Sequence, residues 1–137
     1  MAARGIATVT LVVPDYAAGI AFFCEGLGWD LLADEDQGRK RWVVVAPNGG
    51  ASGARLLLAR ADSPPQRAAI GGQTGGRVAF FLETDDFDRD AARLRLAGAR
   101  FLEAPRDEPY GRVAQWQDPL GNLWDLLAPA PRDTGAV

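Results

Sequence analysis

The chain has 137 residues, of which 47% are apolar and 24% charged, the composition of an ordinary globular domain. Its 15 basic and 18 acidic residues give a formal charge of −3, and Lys40 is the only lysine, so a basic surface for nucleic acid is not expected. Apolar stretches such as that from Val9 to Val13 are too short to span a bilayer, and we expect neither a signal peptide nor membrane attachment. A single cysteine, Cys24, excludes an intramolecular disulfide, and a cytoplasmic location is predicted.

The sequence contains no histidine. This absence excludes the Ser-His and Cys-His pairs that activate nucleophiles in many hydrolases. It also excludes histidine ligands for zinc, iron or nickel. Any chemistry must therefore use carboxylates, arginine, tyrosine, a hydroxyl group or bound water.

The first half of the chain predicts a strand, a helix and three further strands. Residues 6–13 are β-branched and apolar, which favours a strand, and Asp15 is placed to cap the helix that follows. That helix is predicted from apolar side chains at helical spacing, namely Tyr16, Ile20, Phe23 and Leu27. The further strands are predicted at residues 29–33, 41–46 and 54–59, with a polar turn at residues 34–38.

The second half predicts the same elements in the same order. A proline- and glycine-rich linker precedes it, with a short helical turn expected at residues 66–70. The run Thr84-Asp85-Asp86 caps a helix from Phe87 to about Ala97, and a tight turn at residues 118–122 precedes the last strand. Strands are predicted at residues 77–83, 99–104, 112–117 and 123–127, with a loop at 105–111 and a frayed polar tail at 129–137.

The order β-α-β-β-β thus occurs twice, about 70 residues apart. We predict a single α+β domain made of two such modules, at about residues 5–61 and 76–129, joined by a linker at about 62–75. One helix covers only one face of each module's sheet. The other face must be buried elsewhere, most simply in a curved mixed sheet that joins both modules around a cavity.

Four motifs of the chain resemble the vicinal oxygen chelate superfamily, which contains glyoxalase I, bleomycin-resistance proteins, fosfomycin-resistance enzymes and extradiol dioxygenases. The motifs are the first strand with Asp15 after it, Ala21-Phe22-Phe23 with Leu27-Gly28-Trp29, Thr84-Asp85-Asp86-Phe87, and Gln117 to Asp125. In combination they are specific, and the resemblance covers about residues 6–129. It implies the fold of two βαβββ modules, a dimer, and a site inside the curved sheet.

The resemblance also locates the side chains that hold a metal in glyoxalase-type members. Thr8 stands at the histidine position of the first strand, and the second-strand stretch 51–61 has no acid, histidine or glutamine. The third position falls near Ala79, and the last, normally glutamate, matches Asp125. Because a divalent ion needs several oxygen or nitrogen ligands at once, we predict neither a metal nor another cofactor.

The candidate ligand-binding residues are Thr8, Arg41, Trp42, Ala79, Tyr110 and Asp125. Asp125 is the best catalytic candidate, since alternation places it with Leu123 and Leu127 on one strand face, although an ion pair with Arg41 or Arg77 is the alternative. Tryptophans 42, 116 and 124 could line a pocket or pack in the core, and the core is favoured for Trp124. Arginines 41, 77 and 106 could bind an anion, but surface solvation is favoured for any one of them.

The sequence therefore predicts a glyoxalase- or bleomycin-resistance-like protein that binds a small organic ligand in a metal-free cavity of a homodimer. An alternative is an enzyme of the superfamily, of lyase, isomerase or dioxygenase type, that depends on a metal or on Asp125. A non-catalytic interaction subunit is a third possibility. Whether the protein is an enzyme stays open, although glyoxalase I chemistry is disfavoured because its histidine ligands are absent.

Overall fold

The computed structural model describes residues 4–131 of the chain. The strands are β1 (Thr8–Val13), β2 (Asp30–Asp36), β3 (Arg41–Ala46), β4 (Arg55–Arg60), β5 (Phe80–Glu83), β6 (Arg100–Phe101), β7 (Arg106–Glu108), β8 (Gly111–Gln117) and β9 (Leu123–Pro129). The helices are α1 (Tyr16–Ile20), which continues as a π-helix (Ala21–Gly26), a 3₁₀ turn (Pro47–Gly50), α2 (Pro64–Ala69) and α3 (Phe87–Leu96). The tail predicted at 129–137 falls largely outside the described residues.

These elements form two mixed sheets, which confirms the α+β fold class. Sheet A has the strand order β1-β4-β3-β2, and its β1 and β4 run parallel. Sheet B has the order β5-β9-β8-β6, with β7 also paired to β8, and its β5 and β9 run parallel. The expectation of one joint sheet was wrong for the single chain, since no ladder connects the two sheets within residues 4–131.

The helix-bearing faces of both sheets contribute to one hydrophobic core. That core includes Leu11, Val45 and Leu58 of the first half and Leu94, Trp116 and Leu126 of the second. Phe22 lies 6.2 Å from Trp116 and Phe23 lies 6.0 Å from Trp124, measured between ring centroids. Aromatic contacts from the first helix therefore hold the two halves together. Within residues 4–131, no helix has the length and apolar character needed to cross a membrane.

The predicted helix starts are confirmed by their caps. The Asp15 carboxylate accepts a hydrogen bond of 2.7 Å from the amide of Ala18, and the Asp86 carboxylate accepts one of 3.1 Å from the amide of Arg89. Each cap satisfies a backbone donor that has no partner within its helix. The helical turn predicted in the linker also exists, as α2.

Two polar segments that were predicted as loops are strands. Strand β2 continues to Asp36, and its turn lies at residues 37–40, where the amide of Gln37 donates to the Lys40 carbonyl at 2.8 Å. Acidic side chains are tolerated there because β2 is the edge of sheet A and is open to solvent. Residues 106–108 form β7 in the predicted loop 105–111, and they pair with the start of β8.

The turn before β9 is organised by the buried carboxylate of Asp118. This carboxylate accepts hydrogen bonds from the amides of Leu120 and Asn122, from the Asn122 side chain and from the indole nitrogen of Trp124, at 2.9–3.0 Å. Burial raises the pKa of Asp118, and the four donors counter that effect. The turn therefore fixes the indole of Trp124 in the core.

The outer edge of β1 is covered by one side chain of the segment between the modules. The Gln73 amide accepts a hydrogen bond of 3.0 Å from the Val12 backbone and donates one of 2.9 Å to the Thr10 carbonyl. The Gln73 side chain thus occupies the hydrogen-bonding positions that a neighbouring strand would use.

Candidate functional site

The face of each sheet that points away from the shared core is called here its open face. On sheet A it carries alternating residues of β1, β3 and β4, namely Thr8, Thr10, Trp42, Val44, Leu57 and Ala59. On sheet B it carries Phe81, Gln115, Gln117, Leu123, Asp125 and Leu127. Two large aromatic side chains remain exposed on these faces, Trp42 by 40% and Phe81 by 65%.

Asp125 lies at the centre of the open face of sheet B, where its register partners are Phe81 and Gln115. The predicted alternation of β9 is confirmed, because Trp124 and Leu126 are buried while Leu123, Asp125 and Leu127 are partly exposed. Burial raises the pKa of the Asp125 carboxyl, and the charge of Arg106 opposes that rise. Among residues 4–131, no salt bridge within 4.0 Å reaches Asp125, so the alternative of a pair with Arg41 or Arg77 is not formed.

A cluster of charged side chains at strand β7 lies near Asp125. The Arg106 guanidinium contacts Glu103 at 3.0 Å and Glu108 at 2.9 Å, and this pairing lowers the pKa of the Glu103 carboxyl. Glu103 also accepts a hydrogen bond of 2.8 Å from the backbone amide of Gln115. Arg106 is therefore engaged by two carboxylates and is a poor candidate for holding an anionic ligand.

The other predicted site residues are spread over the molecule. Thr8 and Trp42 lie on the open face of sheet A, whereas Arg41 points to the opposite side, pairs with Asp34 at 2.7 Å and stacks over the ring of Tyr16 at 5.1 Å. Ala79 precedes β5, and its amide donates to the Leu123 carbonyl at 2.8 Å. Tyr110 lies in the turn between β7 and β8 with 54% of its surface exposed. One chain does not bring these residues together, and their roles stay predictions.

The donors needed for a metal are not assembled either. Thr8 and Asp125 lie on different sheets, and within residues 4–131 no group of three or more His, Cys, Asp or Glu side chains is placed to hold a metal ion. The described residues of one chain therefore bring no such set of donors together, and no chemical step is assigned to a metal.

A groove of about 1210 Å³ lies between the first and second halves of the chain. Its lining includes Leu56 from sheet A, Phe80 and Trp124 from sheet B, Trp29, and the polar side chains of Thr84 and Arg93. None of the six predicted ligand-binding residues lines this groove. Sequence reasoning missed it because the groove depends on how the two halves of the chain meet, and both Phe80 and Phe81 line it although they alternate along β5.

The buried tryptophans have structural roles. Trp116 and Trp124 are fully or almost fully buried, and their rings stack with centroids 4.9 Å apart. The preference for Trp124 as a core residue is confirmed, and Trp42 is the exposed member of the three. Burial raises the pKa of the Cys24 thiol, which disfavours the reactive thiolate.

Comparison with known proteins identifies the superfamily of this chain. The sequence profile of the Glyoxalase/Bleomycin resistance protein/Dioxygenase superfamily matches residues 5–126. The chain belongs to this superfamily. It is 49% identical over 126 residues to an uncharacterized protein from Shewanella frigidimarina (strain NCIMB 400), with 90% of this chain and 93% of that protein covered.

Solved structures of similar proteins have the same fold. UcmS2 aligns with a TM-score of 0.76 and 28% identity over 93% of this chain and 98% of that chain. TnmS3, an antibiotic binding protein from Streptomyces sp. CB03234, aligns with a TM-score of 0.72 and 32% identity over 95% and 99%. The predicted resemblance to the superfamily is therefore confirmed for this glyoxalase-fold chain.

Replacing Asp125 with asparagine should stabilise the protein near neutral pH. The folded-state pKa of Asp125 lies above the ordinary value of 3.8, so ionisation costs stability as the pH rises through and beyond that value. We expect urea unfolding at about pH 7 to give a higher free energy of unfolding for Asp125→Asn than for the parent, and the difference to shrink towards about pH 3.

The matched control for this experiment is Asp62→Asn, which changes an exposed acid in the segment that connects β4 to α2. It should show no such pH-dependent gain. A loss of stability in Asp125→Asn at neutral pH would instead indicate that the carboxylate is paired in the folded protein, and would contradict its assignment as an unpaired group of the open face.

Proposed function

We propose that this superfamily member binds a small organic molecule with a flat aromatic part on the open faces of its sheets. The observation that carries the proposal is the exposure of Trp42 and Phe81, at 40% and 65%, on faces whose other side chains are mostly aliphatic, hydroxyl and amide groups. Aromatic rings supply large contact areas with little conformational freedom to lose, which suits them to hold a planar ligand. The likeness to TnmS3, described as an antibiotic binding protein, supports a small organic molecule as the ligand.

The proposal includes a homodimer. Each open face is a single wall, and a ligand pocket normally buries most of the surface of its ligand. A second copy that brings its sheet B beside sheet A of the first would enclose the space between Trp42 of one copy and Phe81 of the other. The groove between the two halves of the chain offers apolar surface for that contact. The edge strands β1 and β5 both border it, through Val9, Phe80 and Leu82.

No metal is required by this function. The ligand would be held by aromatic stacking, by the side-chain amide of Gln115 and by the carboxylate of Asp125. The raised pKa of Asp125 also favours a second candidate function, in which this carboxylate accepts a proton from a bound substrate. The two candidate functions differ in whether the bound compound is also chemically converted to a product.

Thermal denaturation with aromatic antibiotics and cationic drugs tests the proposed binding. A ligand present at about 100-fold its dissociation constant should stabilise the folded protein by about 2.7 kcal/mol. Trp42→Ala and Phe81→Ala should each remove most of that gain and leave the melting temperature of the free protein nearly unchanged, since both side chains are exposed.

Leu96→Ala is the control, because Leu96 is a strongly exposed apolar residue of α3 and not of an open face. It should keep the full stabilisation by ligand. Failure of every compound to stabilise the parent protein, or equal stabilisation of the Trp42 and Phe81 variants, would overturn the proposed site. Sedimentation of the free and ligand-bound protein would test the dimer separately.

A further inference from the structure

A second concavity lies on the other side of sheet A, at the hairpin between β2 and β3. It has a volume of about 270 Å³ and is lined by side chains of α1, of the hairpin and of the end of β4, namely Tyr16, Asp36, Gly38, Arg39, Lys40, Arg41 and Arg60. Because Val43 and Val45 point to the core from β3, Arg41 lies on that same face, opposite to Trp42. The concavity is therefore separate from the proposed aromatic site.

Positive charge dominates this hairpin cavity, although the whole chain carries a formal charge of −3. Arg41 is neutralised by Asp34, which its guanidinium contacts through hydrogen bonds of 2.7–3.1 Å. In residues 4–131, no carboxylate lies within 4.0 Å of the charged groups of Arg39, Lys40 or Arg60. The one acid of the lining, Asp36, accepts a hydrogen bond of 2.8 Å from the Gly38 amide.

The strand register brings two of these cations together. Val43 is paired with Leu58 and Val45 with Leu56, and Arg41 and Arg60 lie two residues further out from Val43 and Leu58, on the same face of their strands. Since Asp34 neutralises Arg41, the positive charge that remains without a carboxylate partner belongs to Arg60, Arg39 and Lys40. An anion placed between Arg60 and the hairpin is attracted by all three of these cations.

A hydrogen-bond donor without charge is also present in the lining of the cavity. The Tyr16 hydroxyl oxygen accepts a hydrogen bond of 3.2 Å from the Arg41 backbone, which leaves its own proton free to donate. Guanidinium, ammonium and phenol donors in one small space match the several oxygens of a tetrahedral anion. The volume suits such a group better than a drug-sized molecule.

We propose that the hairpin cavity binds a small tetrahedral oxyanion, as a phosphate ion or as the phosphate group of a monoester. Arg39, Lys40 and Arg60 supply the charge, and Tyr16 supplies a neutral donor. Asp36 limits the affinity by its negative charge. This site is independent of the aromatic ligand site, so either can exist without the other.

The test is a titration of the isotope-labelled protein with inorganic phosphate at constant ionic strength, followed by the backbone amide signals of Gly38 and Arg41. We expect saturable shifts of these amides below about 0.1 M ionic strength, where exposed charges are not yet strongly screened. Arg60→Gln should weaken the apparent affinity about tenfold, the effect of losing one charge-assisted hydrogen bond. Asp36→Asn should strengthen binding, which a merely structural role of the hairpin would not produce.

Arg55→Gln is the matched control, because Arg55 is an exposed arginine at the opposite end of the same strand. It should bind phosphate as the parent protein does. The proposal is overturned if phosphate gives no saturable shift, if chloride gives the same shifts, or if Arg60→Gln and Arg55→Gln behave alike. A parallel titration with phenyl phosphate separates the two forms of the ligand: tighter binding of the ester assigns a phosphomonoester, and tighter binding of phosphate assigns the free ion.

Discussion

Trp124→Ala is expected to lower the free energy of unfolding by about 3–5 kcal/mol, the range measured for large aromatic side chains removed from cores. Only 2% of Trp124 is exposed. Its ring lies 4.7 Å from Phe80, 4.9 Å from Trp116 and 6.0 Å from Phe23, so it contacts both halves of the chain. The truncation leaves a cavity at their junction and removes one of the donors to the buried Asp118 carboxylate. Urea unfolding followed by fluorescence and by circular dichroism measures the loss.

Trp42→Ala provides the comparison for this variant, because it removes the same side chain from a surface position that is 40% exposed. Its cost should stay within about 0.5 kcal/mol, as for most surface substitutions. Similar costs for the two variants would contradict the role of Trp124 as the contact that joins the modules.

Gly111→Ala is expected to cost about 3 kcal/mol or more, through both strain and overlap. Gly111 begins β8 with a φ of +144°, a conformation that residues with a side chain rarely adopt. A Cβ atom built there would lie 2.2 Å from the carbonyl oxygen of Ala128 and 2.9 Å from the Cα of Pro129. These are backbone atoms of the paired strand β9, and they cannot move without opening the ladder. Thermal and urea denaturation would measure the effect.

Gly75→Ala separates the two contributions. Gly75 also has a positive φ, of +71°, but nothing lies within 4 Å of a Cβ atom built on it. This variant should therefore lose only the conformational part, about 1–2 kcal/mol. If both variants lose the same amount, the overlap with β9 is not the cause of the instability at Gly111.

Local signals in the sequence were sufficient for most of the fold. Capping residues such as Asp15 and Asp86 mark helix starts because their side chains satisfy backbone donors, and that chemistry depends only on near neighbours. The turn around Asp118 is readable for the same reason. Strand β7 was missed because its residues, Arg106 to Glu108, are polar and carry no apolar alternation.

The candidate site was only partly accessible from the sequence. Alternation correctly placed Asp125 on the less buried face of β9, because side-chain direction in a strand is a local property. The cation whose charge lowers the pKa of Asp125 is Arg106, and not Arg41 or Arg77. The sequence could not show this, because the position of Arg106 depends on how β7 pairs with β8. The orientation of one module against the other likewise depends on long-range packing of Phe22, Phe23 and Trp116.

The Gln73 side chain bears on how reversible the proposed assembly would be. If a second copy aligns its β5 with β1, the backbone groups of Thr10 and Val12 are already bonded within their own chain. The interface between the subunits would then lack continuous backbone hydrogen bonds at this point and would rely on side-chain packing. Such an interface can dissociate and form again without unfolding either subunit. A bulky ligand could then enter a space that is closed to solvent in the dimer.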